Sequence, residues 1–150
     1  MSKFGATFNK GAGNVQSVAV IVGAASNPHR AFVYDFSLGC DASPADNSFV
    51  HIVQRCTTAG TGSALTPNAL DPGDSQAATM VVKDTVTADP TLTAAAFLFG
   101  VALNARATYR WVAAPGGELV TPATASNGII IGLKSATTTS FQYTAHFDEH

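Results

Sequence analysis

The sequence predicts an all-β protein, a jelly-roll-like sandwich or barrel of about eight to ten strands. Three observations carry this. Apolar residues recur with period two along most of the chain, no segment has a convincing helical period, and Gly, Pro, Asn and Asp punctuate the apolar runs at short intervals. The 150 residues support a single domain. Folding at that size buries about two-thirds or more of the surface of the unfolded chain, so no staple is required.

In chain order, residues 1–14 read as an N-terminal arm that contains the strand candidate "FGATF", and "VQSVAVIVG" follows from Val15. In "RAFVYDFSL", Phe32, Tyr34, Phe36 and Leu38 share one face and Ala31, Val33, Asp35 and Ser37 the other. The aromatic face is assigned to the core. "FVHIVQRC" and "ATMVVKD" are the next strands. "LTAAAFLFGVAL" is rich enough in Ala and Leu for a helix. It is read as a strand because Thr93, Ala95, Phe97, Phe99, Val101 and Leu103 alternate, and because Gly100 would weaken a helix by about 1 kcal/mol. "ATYRWVA" sets Tyr109 and Trp111 opposite Thr108, Arg110 and Val112, and "GIIIGL" and "TTSFQYTAHF" complete the set. The expected core is Phe32, Tyr34, Phe36, Trp111, Phe141, Tyr143 and Phe147.

One connection is unlike the rest. Residues 57–75 lack hydrophobic periodicity and contain Leu65, Pro67, Leu70, Pro72 and Gly73. Loops of that length usually bind, cover or reach. Prolines restrict the free chain, and an isolated leucine beside one can plug a pocket at reduced entropic cost. The segment is read as an ordered strap lying against a neighbouring subunit or a larger surface. Leu65, Pro67, Leu70 and Pro72 are its contacts, with Arg55 and Arg110 as strand-borne charges at the same interface.

Charged residues make up only 12% of the chain and the formal net charge is −2. Sparse charge favours association over free existence as a monomer. The eight basic residues are scattered and form no stripe, so nucleic-acid binding has no support. The polar start "MSKFGATFNK" does not resemble a secretory signal, and no apolar run approaches a membrane span. Synthesis in a cytoplasm is the expectation.

No motif announces catalysis, a metal or a cofactor. His146-x-x-x-His150 would present two ligands on one side only in a helix, which the alternation there opposes. No G-x-S-x-G elbow is present, and "GAGNVQS" lacks the Lys-Ser/Thr of a phosphate loop. The acids fall mainly in turns or at the tail, where carboxylates usually cap and form turns. Asp35 is the exception, and a pair with Arg55 or Arg110 could fix register between chains or between sheets. With Arg30–Leu38 and Ser48–Thr57 paired as a hairpin across "GCDASPADN", Cys40 and Cys56 would lie about 25–30 Å apart, beyond disulfide reach. Both cysteines are expected to be free.

The stretches "VQRCTTAGTGSALTPNALDPGD" and "LNARATYRWVAAPGGELVTPATASNGIIIGL", with a terminal alternating strand that ends in an acidic residue, carry a resemblance. From about Arg30 to Glu149 the chain resembles small virion proteins of tailed bacteriophages. The resemblance implies a capsid protein, a head decoration or cement subunit of jelly-roll-like fold, commonly a trimer on the exterior of the shell in contact with the major capsid protein. It supplies no active-site residues. The alternative is a carbohydrate-binding jelly roll of a phage tail or fibre, which would show Tyr109, Trp111 or Tyr143 on an outer face.

Overall fold

The computed structural model describes residues 2–11 and 13–150. Met1 and Ala12, both within the segment read as an N-terminal arm, lie outside the described residues. Twelve strands follow one another: β1 (Ser2–Asn9), β2 (Val15–Val22), β3 (Ala31–Cys40), β4 (Ser48–Cys56), β5 (Thr61–Leu65), β6 (Asn68–Ala69), β7 (Val81–Ala88), β8 (Leu92–Asn104), β9 (Tyr109–Val112), β10 (Leu119–Val120), β11 (Gly128–Thr137) and β12 (Phe141–Glu149). They form two six-stranded antiparallel sheets. Sheet A runs β10-β3-β12-β1-β6 with β9 also on β3, and sheet B runs β5-β7-β2-β11-β4-β8. The chain passes repeatedly from one layer to the other, which makes the fold a two-sheet sandwich. The strands beyond the expected eight to ten are short ones, the two-residue β6 and β10 among them.

Alternation builds the core. Phe4, Ala6 and Phe8 of β1 and Phe141, Tyr143, Ala145 and Phe147 of β12 point inward, against Ala19, Ile21, Ile129, Ile131 and Leu133 of sheet B. The central strands β2 and β11 are buried on both faces, which explains their unbroken apolar runs. Their other face belongs to a second cluster of Val20, Val22, Ile52, Cys56, Val86 and Ile130, over which Ala59, Val81 and Leu92 pack. The Asp89 carboxylate pins the β7–β8 connection to β2 by accepting the Gln16 and Ser17 amides at 2.8–3.1 Å. Burial in this cluster pushes the Cys56 thiol up to about 11.

Two expectations are corrected. The first is the inward placement of Phe32 and Tyr34. Along β3 and β12 the pairing steps from His146↔Asp35 to Phe147↔Val33, so Tyr34 is the extra residue of a β-bulge. One inserted residue exchanges the faces. Val33 and Phe36 therefore both point into the core, while Phe32 and Tyr34 are only half-buried. Trp111 is half-buried as well and stacks on Phe36 at 5.2 Å. The second correction concerns the hairpin. β3 lies in sheet A and β4 in sheet B, so residues 41–47 cross between layers. That connection is too long for a tight hairpin turn and carries Pro44. Cys40 and Cys56 are both free.

The 57–75 segment gains its structure from two different sheet edges. Leu65 of β5 pairs with Val82, and Ala69 of β6 pairs with Phe4. The segment therefore runs from sheet B to sheet A and closes one side of the sandwich. Period two is absent from its sequence because neither pairing lasts long enough to display it.

A polar pair spans the core. Tyr143 donates its hydroxyl proton to the Gly132 carbonyl at 3.3 Å, so His51, 2.6 Å away through Nδ1, donates to the Tyr143 oxygen. Burial lowers the His51 pKa from 6.5 to about 4. Above pH 6.5 both folded and unfolded states hold a neutral imidazole. Below it only the unfolded state takes up the proton, so stability falls from about pH 6.5 down to about 4. The loss is roughly 2–3 kcal/mol. Urea titrations at pH 7.5 and 4.5 should show this difference in the parent and a much smaller one in His51→Phe. Equal stability of the parent at both values contradicts the assignment.

Candidate functional site: the outer face of sheet A

The strands of sheet A present their alternate residues outward in rows set by register. One row is Thr7, Thr144, Ser37 and Arg110, and the next is Gly5, His146, Asp35 and Val112. Asp35 stands at the centre. It faces outward by alternation with the inward Phe36, yet it is only 6% exposed. Arg110 covers it with a two-point contact, Nε to Oδ1 at 3.0 Å and Nη2 to Oδ2 at 2.6 Å. His146 Nδ1 lies 3.3 Å from Oδ2. The Arg110 bond, seconded by His146, holds the Asp35 carboxyl below the usual range against the cost of desolvation. The fork ties β9 to β3 and leaves the central charge of the face satisfied within the chain.

Apolar side chains flank this centre. Leu70, just after β6, lies over Gly5; a Cβ on Gly5 would stand 3.0 Å from Leu70 Cδ2 and 3.1 Å from the His146 ring. The Leu70 amide donates to the Lys3 carbonyl at 2.8 Å, and its side chain remains 45% exposed. At the other end of the row Val112 is 58% exposed. Beside the row an open groove of about 520 Å³ is lined by Ser37, Gly39, Thr108, Tyr109, Gln142 and Thr144, with two charged side chains, Asp41 and Arg110. Cross-strand bonds level the surface, Thr7 to Thr144 at 3.0 Å and Gln142 Nε2 to Asn9 Oδ1 at 3.0 Å. Lys3 lies 5.4 Å from the Tyr34 ring centroid.

The residues expected at an interface separate in space. Leu70 and Arg110 share this face, and Pro72 is exposed two residues beyond Leu70. Leu65 is half-buried against the chain's own core, and Pro67 is buried between β5 and β6. Arg55 reaches from β4 to the Val120 carbonyl of β10 at 3.1 Å, which links the two sheets. Val112 and His146 complete the face and were not singled out as interface residues. The alternation of "YRWV" puts Val112 with Arg110, but only strand pairing brings either near Asp35. Trp111 and Tyr143 point inward, and Tyr109 packs against Phe99 at 6.0 Å at the groove; the aromatic side chains on this face are the half-buried Phe32 and Tyr34. Among those residues no three His, Cys, Asp or Glu side chains gather closely enough to hold a metal ion. No family model matches the chain, nor does any curated protein or solved structure.

Proposed function

We propose that this chain is a structural virion protein, a capsid decoration or cement subunit that stabilises a bacteriophage head through repeated protein–protein contacts. It acts as a trimer seated on the major capsid protein, at the exterior of the shell. The observation that carries the reading is the outer face of sheet A, where a charge-satisfied centre lies between exposed Leu70 and Val112. A docking surface loses affinity when it buries lone charges, and Asp35 already has its partners. Small hydroxyl and amide side chains around it allow close approach. The low overall charge, 12% of residues, suits a subunit surrounded by its own copies. Each contact is modest, and a lattice multiplies it.

The reading is tested by Leu70→Ser with Val112→Ser in the virus. Both side chains are largely exposed, so the purified double variant should melt like the parent. Removing two apolar contacts of about 1–1.5 kcal/mol each lowers capsid occupancy tenfold or more. Occupancy equal to the parent's, measured by gel densitometry of purified particles, overturns the assignment of this face.

A further inference from the structure

The two sides of the sandwich are finished differently. On one side, residues 57–75 close the gap through β5 and β6. On the other, sheet B ends at β8, a strand of 13 residues, which among the described residues pairs with β4 alone. An unpaired strand edge is a template for another strand, and proteins that remain single usually guard it with charge, proline or bulges. β8 is guarded only in its first half. The pairing with β4 shifts register twice between Val53 and Cys56, and Ala95 has φ of +56°. From Phe99 to Asn104 the pairing is unbroken, and no charged residue occurs from Leu92 to Asn104.

We propose that the second half of β8 takes the same strand of a second copy of this chain, antiparallel, about a two-fold axis at Val101. The inference rests on the structural reading above and names one of its partners. In this register Val101 faces its equivalent, Gly100 faces Ala102 and Phe99 faces Leu103, all apolar or small, and Leu98 faces Asn104 at the two ends. The segment holds no charge to repel a copy, and none by which a different protein could be selected. Exposed Gly100 and Ala102 lie on the outer face beside Val50, and Phe97 is 47% exposed at the end of the segment. Seven residues from Leu98 to Asn104 span about 23 Å, and two sheets with their side chains are roughly 20 Å thick, giving about 450 Å² per copy. That lies just below the size of a stable free dimer, so the contact is reversible in solution and is sustained by repetition. An isologous pair closes at two copies and therefore joins neighbouring trimers instead of replacing the three-fold contact.

Sedimentation velocity and amide hydrogen exchange of the wild-type protein, from about 1 µM to about 500 µM, test the pairing. The mass of the low-concentration species should at least double, since a monomer has one β8 edge and a trimer three, with exchange slowing over Leu98–Leu103. Gly100→Lys with Ala102→Lys sets ammonium groups directly opposite one another and should weaken doubling at least tenfold; the Gly100 Cβ position is open, with its nearest atom 3.9 Å away. Mixing that variant with Gly100→Glu/Ala102→Glu should restore doubling as a mixed pair. Constant wild-type mass, undiminished doubling in the lysine variant, or new protection only outside β8 each overturns the proposal. The exchange arm needs no variant and holds even if the substitutions disturb folding. Failure here leaves the virion reading intact, since that depends on the presence of the chain in particles.

Discussion

Phe36→Ala is expected to destabilise the fold by about 3–5 kcal/mol. The ring is 1% exposed. It stacks on Trp111 at 5.2 Å and meets Phe99 edge-on at 5.3 Å, so it joins β3 and β9 of one layer to β8 of the other. Truncation removes both aromatic contacts and leaves a cavity between sheets that hydrogen-bonded strands cannot collapse to fill. Phe32→Ala, four residues earlier on the same strand, should cost only about 1–2 kcal/mol, because the bulge puts Phe32 on the outer face, where it touches His150. Urea unfolding of the two variants compares them directly. Equal losses would mean that β3 alternates without interruption and that the Tyr34 bulge is wrong.

Gly128→Ala should be at least as damaging, with an expected loss above about 3 kcal/mol. Gly128 opens β11 in the middle of sheet B, opposite Val22 on one side and Cys56 on the other. A Cβ there would clash with the Ile21 carbonyl oxygen and stand 2.7 Å from the Val22 Cα. Backbone is in the way on a strand flanked on both sides, so relief requires breaking ladder bonds. Gly100→Ala is the natural control: with open space around it, the added methyl should be neutral or stabilise by roughly 0.5 kcal/mol. Soluble yield and melting temperature separate the two, and a parent-like melt for Gly128→Ala contradicts the close approach.

These positions mark how far the sequence alone could be read. Period two in "TTSFQYTAHF" depends only on one strand having a wet and a dry face, so Phe141, Tyr143 and Phe147 were legible and are buried. The same reasoning misplaced Phe32 and Tyr34 because a bulge is defined by the partner strand, and β12 lies over a hundred residues away. The pairing of β1 with β12 is equally non-local, which is why residues 2–9 read as an arm although they form an interior strand of sheet A. Asp35 and Arg110 stood out as charges within strands, yet their contact required β9 to return to β3. In residues 57–75 the structure has two short strands, β5 and β6, on either side of Pro67. The pairing of β5 and β6 with the chain's own sheet edges, and the inward packing of Leu65, have no local signature.

The central claim, that the chain is a component of a virus head, is tested most directly by quantitative mass spectrometry of purified virions combined with electron microscopy of their heads. The account predicts many copies of the chain per particle, in fixed ratio to the major capsid protein, with density on the exterior of the shell that disappears when the gene is deleted. Particles that lack the chain, or that carry it only in the tail, would contradict it.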